Sequence, residues 1–297
     1  MSFSTQVKAE LCRAPLNRKC CAQAEAYGVL LYCSLSTPAE VRITTESPEF
    51  AARLPQLFQK AFQVRFDRLP AEGAGKRIFS ITQPDKLSAL WSVFGHDPAE
   101  ALVHHINYAV LEEDHCRTAF LRGAFLAGGS VTDPAKRYHL ELATSHLSVS
   151  RELHALLLEM GFSPKESHRK ANAITYFKQS DAIEDFLTAM GAPLAAMELM
   201  NAKAEKDLRG SINRRVNCDA ANLDKAVDAA QGQIEAIYKL EERGMLENLP
   251  DKLKEAVDLR MAHPELTLSQ LAELCDPPVS KSAFNHRLRK LMELAKQ

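Results

Sequence analysis

The chain has 297 residues, 46% hydrophobic and 25% charged, enough for a sizeable core and for two or three domains. Its net charge of −1 gives no overall attraction to nucleic acid or to an anionic membrane, so any nucleic-acid surface has to come from local clusters of Lys and Arg. Seven cysteines (Cys12, Cys20, Cys21, Cys33, Cys116, Cys218 and Cys275) without paired CxxC spacing indicate neither a zinc site nor a disulfide framework. The N-terminus lacks the apolar core of a signal peptide, and no run reaches the ~18 apolar residues of a membrane span. The expectation is a cytoplasmic protein with reduced thiols and no membrane partner.

Residues 4–13 suggest a short amphipathic helix, followed by the basic turn Leu16-Asn17-Arg18-Lys19. The first long helix is expected over Ala22–Cys33, with Gly28 inside it. Leu35 has room for a weak strand, and Glu40–Thr45 alternates polar and apolar residues as a half-buried strand does. Pro48–Phe62 reads as a helix with Phe50, Leu54, Leu57, Phe58 and Ala61 on one face. Two strands are expected over Val64–Arg68 and Lys76–Thr82, joined by the turn-rich PAEGAG, and Asp85–Phe94 closes the segment as a helix. The connector from His96 to Arg117 reads as helical.

The same order returns about 96 residues later. Gly28 corresponds to Gly123, the strand ending Thr45-Glu46-Ser47 to the one ending Ala143-Thr144-Ser145, and QPDKLSALWSVFG (83–95) to QSDAIEDFLTAMG (179–191). A repeat of this length is half a domain, far longer than a solenoid unit. At its centre stands FLRGAFLAGGSV (120–131), an apolar helical run with Gly123 in its interior. A glycine inside a helix costs about 1 kcal/mol relative to alanine and is kept where another backbone comes close. Two halves, each with such a glycine, imply a pseudo-two-fold module whose glycine helices touch at the axis.

This segment resembles the signature helix of LAGLIDADG homing endonucleases, in the variant of the WhiA-type bacterial regulators, and the resemblance covers roughly residues 20–191. It implies two sheets forming a saddle, with Gly28 and Gly123 as helix-packing residues. The nuclease chemistry needs an acidic residue at the foot of each glycine helix to hold a hard divalent metal. Here those positions are Cys33 and Gly128, neither of which binds magnesium. Asp133 lies in Thr132-Asp133-Pro134, which reads as a turn, and Glu40 is the first half's only acidic residue at a comparable distance. His104-His105 and His115-Cys116 have no second cluster at ligand spacing and read as surface or capping residues. No GxSxG pattern surrounds Ser130. We expect no catalytic residues, no cofactor and no metal.

Beyond Gly191 the character changes. Pro193–Ala204 reads as a helix leading out of the module, after which Lys203, Lys206, Arg209, Arg214 and Arg215 concentrate positive charge, interleaved with Asn213, Asn217 and Asn222. Arginine and asparagine both donate to phosphate oxygens and can read base edges, although a solvated helix face fits the same pattern. A long helix is expected over Asn222–Glu242. A helix over Pro250–Met261, a short one over Leu268–Leu274 opened by the capping box Thr267-Leu268-Ser269-Gln270, and a last helix capped by Ser280 form a helix-turn-helix. In that last helix Phe284, Leu288, Leu291 and Ala295 face the bundle, while Lys281, Ser282, Asn285, His286 and Arg289 face outward with Arg287 and Lys290 at the margins.

SINRRVNCDAANLDKAVDAAQGQIEAI, LPDKLKEAVDLRMAHPELTLSQLAEL and SKSAFNHRLRKL are similar to the corresponding parts of WhiA proteins and follow in that family's order. The resemblance implies a DNA-binding protein of cell division and chromosome segregation, and of sporulation in spore formers. It carries DNA contact over to Asn213, Arg214, Arg215, Asn217 and the outward positions of the last helix. The expected fold is α+β, a pseudo-two-fold LAGLIDADG-like αβ module followed by an all-α helix-turn-helix domain. Its parts are an N-terminal extension (1–19), a first half (20–95), a connector (96–115), a second half (116–195), a basic linker and long helix (196–248) and the helix-turn-helix (249–297). Double-stranded DNA is the expected partner, beside protein partners of transcription or division. A metal-dependent endonuclease, or an interaction or ligand-sensing module with DNA binding only in the tail, are the alternative readings.

Overall fold

A helix that must be buried on every side cannot carry an amphipathic stripe, and the two central helices of this chain are of that kind. The computed structural model describes residues 2–71, 73, 75–95 and 104–296, which form two units, Met1–Asp207 and Leu208–Gln297. In the first unit, α1 (Phe3–Leu11) is capped by Ser2 and buries Phe3, Val7 and Leu11. Next comes α2 (Lys19–Tyr32), in which every residue from Ala24 to Tyr32 is buried. β1 (Leu35–Ser36) and β2 (Val41–Thr45) follow, then α3 (Pro48–Phe62), β3 (Arg77–Ile81) and α4 (Pro84–Ser92). After a 3-10 turn at Tyr108–Leu111 the order repeats as α5 (Asp114–Gly128), β4 (Gly129–Val131), β5 (Leu140–Thr144), α6 (Leu147–Glu159), β6 (Lys165–Arg169), β7 (Asn172–Phe177) and α7 (Ser180–Met190).

Both sheets are antiparallel, with order β1-β2-β3 in the first half and β4-β5-β7-β6 in the second. Along β2 and β5 the residues alternate, Val41, Ile43 and Thr45 against Leu140, Leu142 and Thr144 turning inward, and this alternation fixes the register. The halves differ at one strand. Val64–Arg68 is not a strand, and meets the sheet through an isolated bridge from Arg68 to Ser80 and the Asp67 N–H on the Ser80 carbonyl at 2.9 Å. The reason lies in Asp67, whose carboxylate accepts from the backbone N–H of Thr82 (2.7 Å) and Gln83 (2.9 Å) and from Lys86 Nζ. The segment is thereby tied to the start of α4, while Val64 and Phe66 are buried as they would be in a strand.

The axis of the module is the contact of α2 with α5. A Cβ added to Gly28 would stand 2.7 Å from Ala124 N and would overlap the Phe120 carbonyl oxygen; one added to Gly123 would stand 2.8 Å from Glu25 C and overlap the Glu25 carbonyl oxygen. The two backbones therefore meet with no side chain between them. Beside this contact the Glu25 carboxylate, 1% exposed, holds Arg53 Nη2 at 2.8 Å and Arg122 Nη1 at 3.3 Å. Arg53 also donates to the Cys12 and Ala14 carbonyls at 3.0 and 2.7 Å, and Arg122 to the Met190 carbonyl at 3.2 Å. One buried carboxylate thus joins α2 to α3, α5, the chain after α1 and the end of α7. Buried charges require this completeness, because an unpaired one costs several kcal/mol.

Of the connector, residues 96–103 lie outside the described residues, and 104–113 hold only the 3-10 turn where a helix was expected. His104 is buried and not at the surface: its Nε2 lies 2.8 Å from the Ser36 carbonyl, and its ring lies 4.0 Å from that of His146. Burial, with His104 beside it, pushes His146 down to about 4. The expected pair of helices around a basic linker is a single helix, α8 (Pro193–Glu242), which spans both units. Glu10 of α1 caps its start, accepting from Leu194 N and Ala195 N at 2.8 and 2.9 Å. No glycine or proline stop signal other than Gly210 and Gly232 interrupts residues 194–242, and an isolated glycine is tolerated within a helix.

Replacing Gly123 with leucine is expected to cost about 1–3 kcal/mol or more, because the added atoms meet backbone that cannot rotate away. A urea unfolding curve of the variant checks this; an unchanged midpoint would mean that the two helices do not meet at this residue.

Candidate nucleic-acid interface

The second unit has its own core. Ile237 and Leu240 from α8 pack with Leu253, Ala256 and Val257 of α9 (Asp251–Ala262), Leu271 and Ala272 of α10 (Leu268–Glu273), and Phe284, Leu288 and Leu291 of α11 (Lys281–Leu294). The capping box forms in full: Thr267 Oγ1 accepts from Gln270 N at 3.4 Å, and Gln270 Oε1 accepts from Thr267 N at 3.0 Å. Ser280 Oγ accepts from Ala283 N at 3.2 Å and starts α11. Between α10 and α11 the chain is held by Val279 N donating to the Ala272 carbonyl at 2.9 Å and by Asp276 N donating to Glu255 Oε1 at 2.8 Å. The short second helix and the capped third are therefore fixed to α9, and α11 keeps one face for solvent.

On that face Lys281, Ser282, His286, Arg289 and Lys290 are exposed, and Asn285 is half-buried. The inward set Phe284, Leu288, Leu291 and Ala295 is buried. Arg287 departs from the expected surface. Its Nη1 lies 2.7 Å from Glu255 Oε2 and 3.7 Å from Cys275 Sγ, with the side chain 14% exposed, so it braces α11 against α9 and is withdrawn from the candidate surface. The same Glu255 receives Asp276 N and Arg287; the Asp276 bond, against the opposing effect of burial, and then Arg287 hold its pKa below the usual value.

Asn213, Arg214, Arg215 and Asn217 are exposed near the middle of α8. Helical spacing puts Asn213, Arg214 and Asn217 together on one side and Arg215 on another. Nearer the start of the helix the charge is already used: Lys203 pairs with Asp181 of α7, and Lys206 lies 4.5 Å over the Tyr138 ring. Basic residues read as one cluster in sequence are thus divided between braces of the first unit and exposed cations of the second.

The nuclease-like positions hold no carboxylate. Cys33 Sγ donates to the carbonyls of Leu30 (3.3 Å) and Leu35 (3.1 Å), and burial pushes its thiol up to about 12. At Gly128 an added Cβ would stand 2.5 Å from the Ala143 carbonyl oxygen and 3.0 Å from Tyr32 Cδ1, so a larger residue does not fit without a shift. Asp133 Oδ1 accepts from Ala135 N at 2.9 Å as a turn residue, and Glu40 pairs with Arg42 at 2.8 Å. The metal-ligating types that do converge among the described residues are Cys20, Cys21, His115 and Cys116. Spacing along the chain missed them because the two pairs are remote in sequence.

Comparison with known proteins decides the family. The chain is 34% identical over 99% of its length, and 98% of the relative's, to "Probable cell division protein WhiA" of Alkaliphilus metalliredigens. The chain belongs to the WhiA family. The family's relative in Ruminiclostridium cellulolyticum is 36% identical over 100% of this chain and 98% of its own. The family profiles "WhiA LAGLIDADG-like domain" and "WhiA C-terminal HTH domain" match residues 117–209 and 212–295. The crystal structure of full-length DUF199/WhiA from Thermatoga maritima covers 100% of this chain and 98% of its own with a TM-score of 0.61 at 22% identity, which shows the shared fold. The α+β architecture, a LAGLIDADG-like module followed by a helix-turn-helix, is the WhiA fold.

Proposed function

We propose that the chain is a DNA-binding regulator of cell division that reads the major groove with α11 and has no nuclease activity. The observation that carries this reading is the separation of faces on α11: Lys281, Ser282, His286, Arg289 and Lys290 are exposed above a buried Phe284, Leu288 and Leu291, on a helix started by a formed cap. A helix held in this way by two others is the element that helix-turn-helix proteins place in the major groove. The relatives' name, cell division protein, supports the setting, and within it we place control of transcription, chromosome segregation and, in spore formers, sporulation. The protein would then work in the cytoplasm on the nucleoid. No described helix is long and apolar enough to cross a membrane.

In this reading Arg214, Arg215, Lys281 and Lys290 neutralise phosphates and set the register, while Asn285, with Ser282 and Arg289 beside it on the helix, reaches a base edge. The outer faces of the two sheets support a different role for the first unit. There Arg42 is paired with Glu40 at 2.8 Å and Arg169 with Glu141 at 2.9 Å, which spends their charge locally and leaves less for phosphate. We assign that unit to contacts with protein partners of transcription or division.

Two outcomes are expected. Asparagine bonds adenine through two atoms, a discrimination of about 1–3 kcal/mol, so Asn285→Ala should weaken the preferred duplex more than a scrambled one with little change in salt dependence. Arg214→Ala should weaken both alike and reduce the slope of log affinity against log salt by about 0.9. Titrating both variants on both duplexes at several salt concentrations checks this; equal losses for Asn285→Ala would remove it from base reading. Separately, the intact protein with magnesium or manganese should leave DNA containing its site uncut. Divalent-dependent cleavage that co-purifies with the chain and is lost on mutation of Asp133 would overturn the non-enzymatic reading.

A further inference from the structure

The first turns of the two central helices bring four soft ligands to one point. Cys20 and Cys21 are the second and third residues of α2, and His115 and Cys116 are the second and third of α5. Their ligand atoms all lie within 4.8 Å of one another. His115 Nδ1 is 3.4 Å from Cys21 Sγ and 3.2 Å from Cys116 Sγ. In a tetrahedral zinc site, with bonds of about 2.3 Å to sulfur and 2.0–2.1 Å to nitrogen, the ligand atoms stand roughly 3.6 Å apart for a nitrogen–sulfur pair and 3.8 Å for two sulfurs. The spacing found brackets those values before any ion draws the side chains together.

The placement follows from the repeat. Cys20 to His115 and Cys21 to Cys116 are each 95 residues apart, the same offset as Gly28 to Gly123. The close approach of α2 and α5 therefore superposes the two dipeptides across the pseudo-two-fold axis, each half contributing two ligands. Three thiols and an imidazole form a Cys3His donor set, which suits zinc and offers nothing to the hard cations that a nuclease uses. Two helix N-termini converge on the same point. Burial is graded from the buried Cys116 through half-buried Cys21 and His115 to the exposed Cys20, which leaves an entry path.

We propose that Cys20, Cys21, His115 and Cys116 bind one zinc ion that ties the N-terminal ends of α2 and α5 together. Binding releases the thiol protons to solvent and needs no oxidant or reductant. All four protein ligands fill the coordination sphere, so the site is structural and leaves no open position for water. It is separate in place and in chemistry from the positions of Cys33 and Gly128 at the opposite end of the same helices.

The test is metal analysis of the full chain, reduced, loaded with zinc and desalted. The expected content is about one zinc per chain, with X-ray absorption at the zinc edge giving three sulfurs at about 2.3 Å and one nitrogen at about 2.0–2.1 Å. Cys20→Ser, at an exposed position that does not threaten folding, should weaken zinc retention against a competing chelator by tenfold or more, whereas Cys218→Ser on α8 should not change it. Circular dichroism of both variants confirms that they are folded. Chelation should also lower the melting temperature of the parent chain and leave that of the Cys20→Ser, Cys116→Ala double variant unmoved. Zinc that is not retained by the fully reduced chain, zinc ligated by oxygen and nitrogen alone, or retention equal in Cys20→Ser and the parent would each overturn the proposal.

Discussion

The contact of backbone on backbone between α2 and α5 is the constraint on which the first unit depends. With glycine at positions 28 and 123 the helices approach until the Phe120 and Glu25 carbonyls occupy the space of a side chain. That approach decides what else is possible. It buries both helices on all sides, which demands the run from Ala24 to Tyr32 without an exposed residue. It also sets Glu25 within reach of Arg53 and Arg122, so that one carboxylate ties three helices. Removing Glu25 would leave the Arg53 and Arg122 charges without their carboxylate in a dry interior, a loss larger than that of most single contacts.

The same approach shapes the two positions at the foot of the central helices. Gly128 is held against the Ala143 carbonyl and the Tyr32 ring, and Cys33 is turned onto two carbonyls. Both positions serve packing at the foot of the helices, where a carboxylate would need room and solvent. Architecture and reactivity are carried by different residues in a fold, and Gly28 and Gly123 serve the architecture. The second unit stands on its own core, and its order comes from caps and a bracing ion pair: Thr267 with Gln270, Ser280 with Ala283, and Arg287 with Glu255.

Much of this was legible in the sequence where local chemistry decides the outcome. Pro48–Phe62, the capping box at Thr267 and the inward set of α11 follow from periodicity and cap residues, which are properties of neighbours along the chain. What was not legible depends on partners far away. Val64–Arg68 has strand composition, yet Asp67 turns to the start of α4 and takes the N–H groups there. Arg287 reads as one more cation on a basic helix until Glu255, distant in sequence, is seen opposite it. The basic stretch after Lys203 reads as a linker, because its charge hides a continuous helix whose exposed Leu208, Ile212 and Val216 have no partner in the pattern. The thiols of Cys20 and Cys21 meet His115 and Cys116 only through the repeat; the offset shared with the two glycines was the available signal.

The central claim is that α11 meets DNA in the major groove, and the groove itself can be interrogated. Guanine N7 lies in the major groove and adenine N3 in the minor, so methylation at each atom blocks one groove. With the full chain bound to duplexes selected from its own genome, the account predicts that methylation of guanine N7 within a short stretch of the site prevents binding while methylation of adenine N3 within the same stretch does not. Interference at adenine N3 alone, or at neither atom, would contradict it.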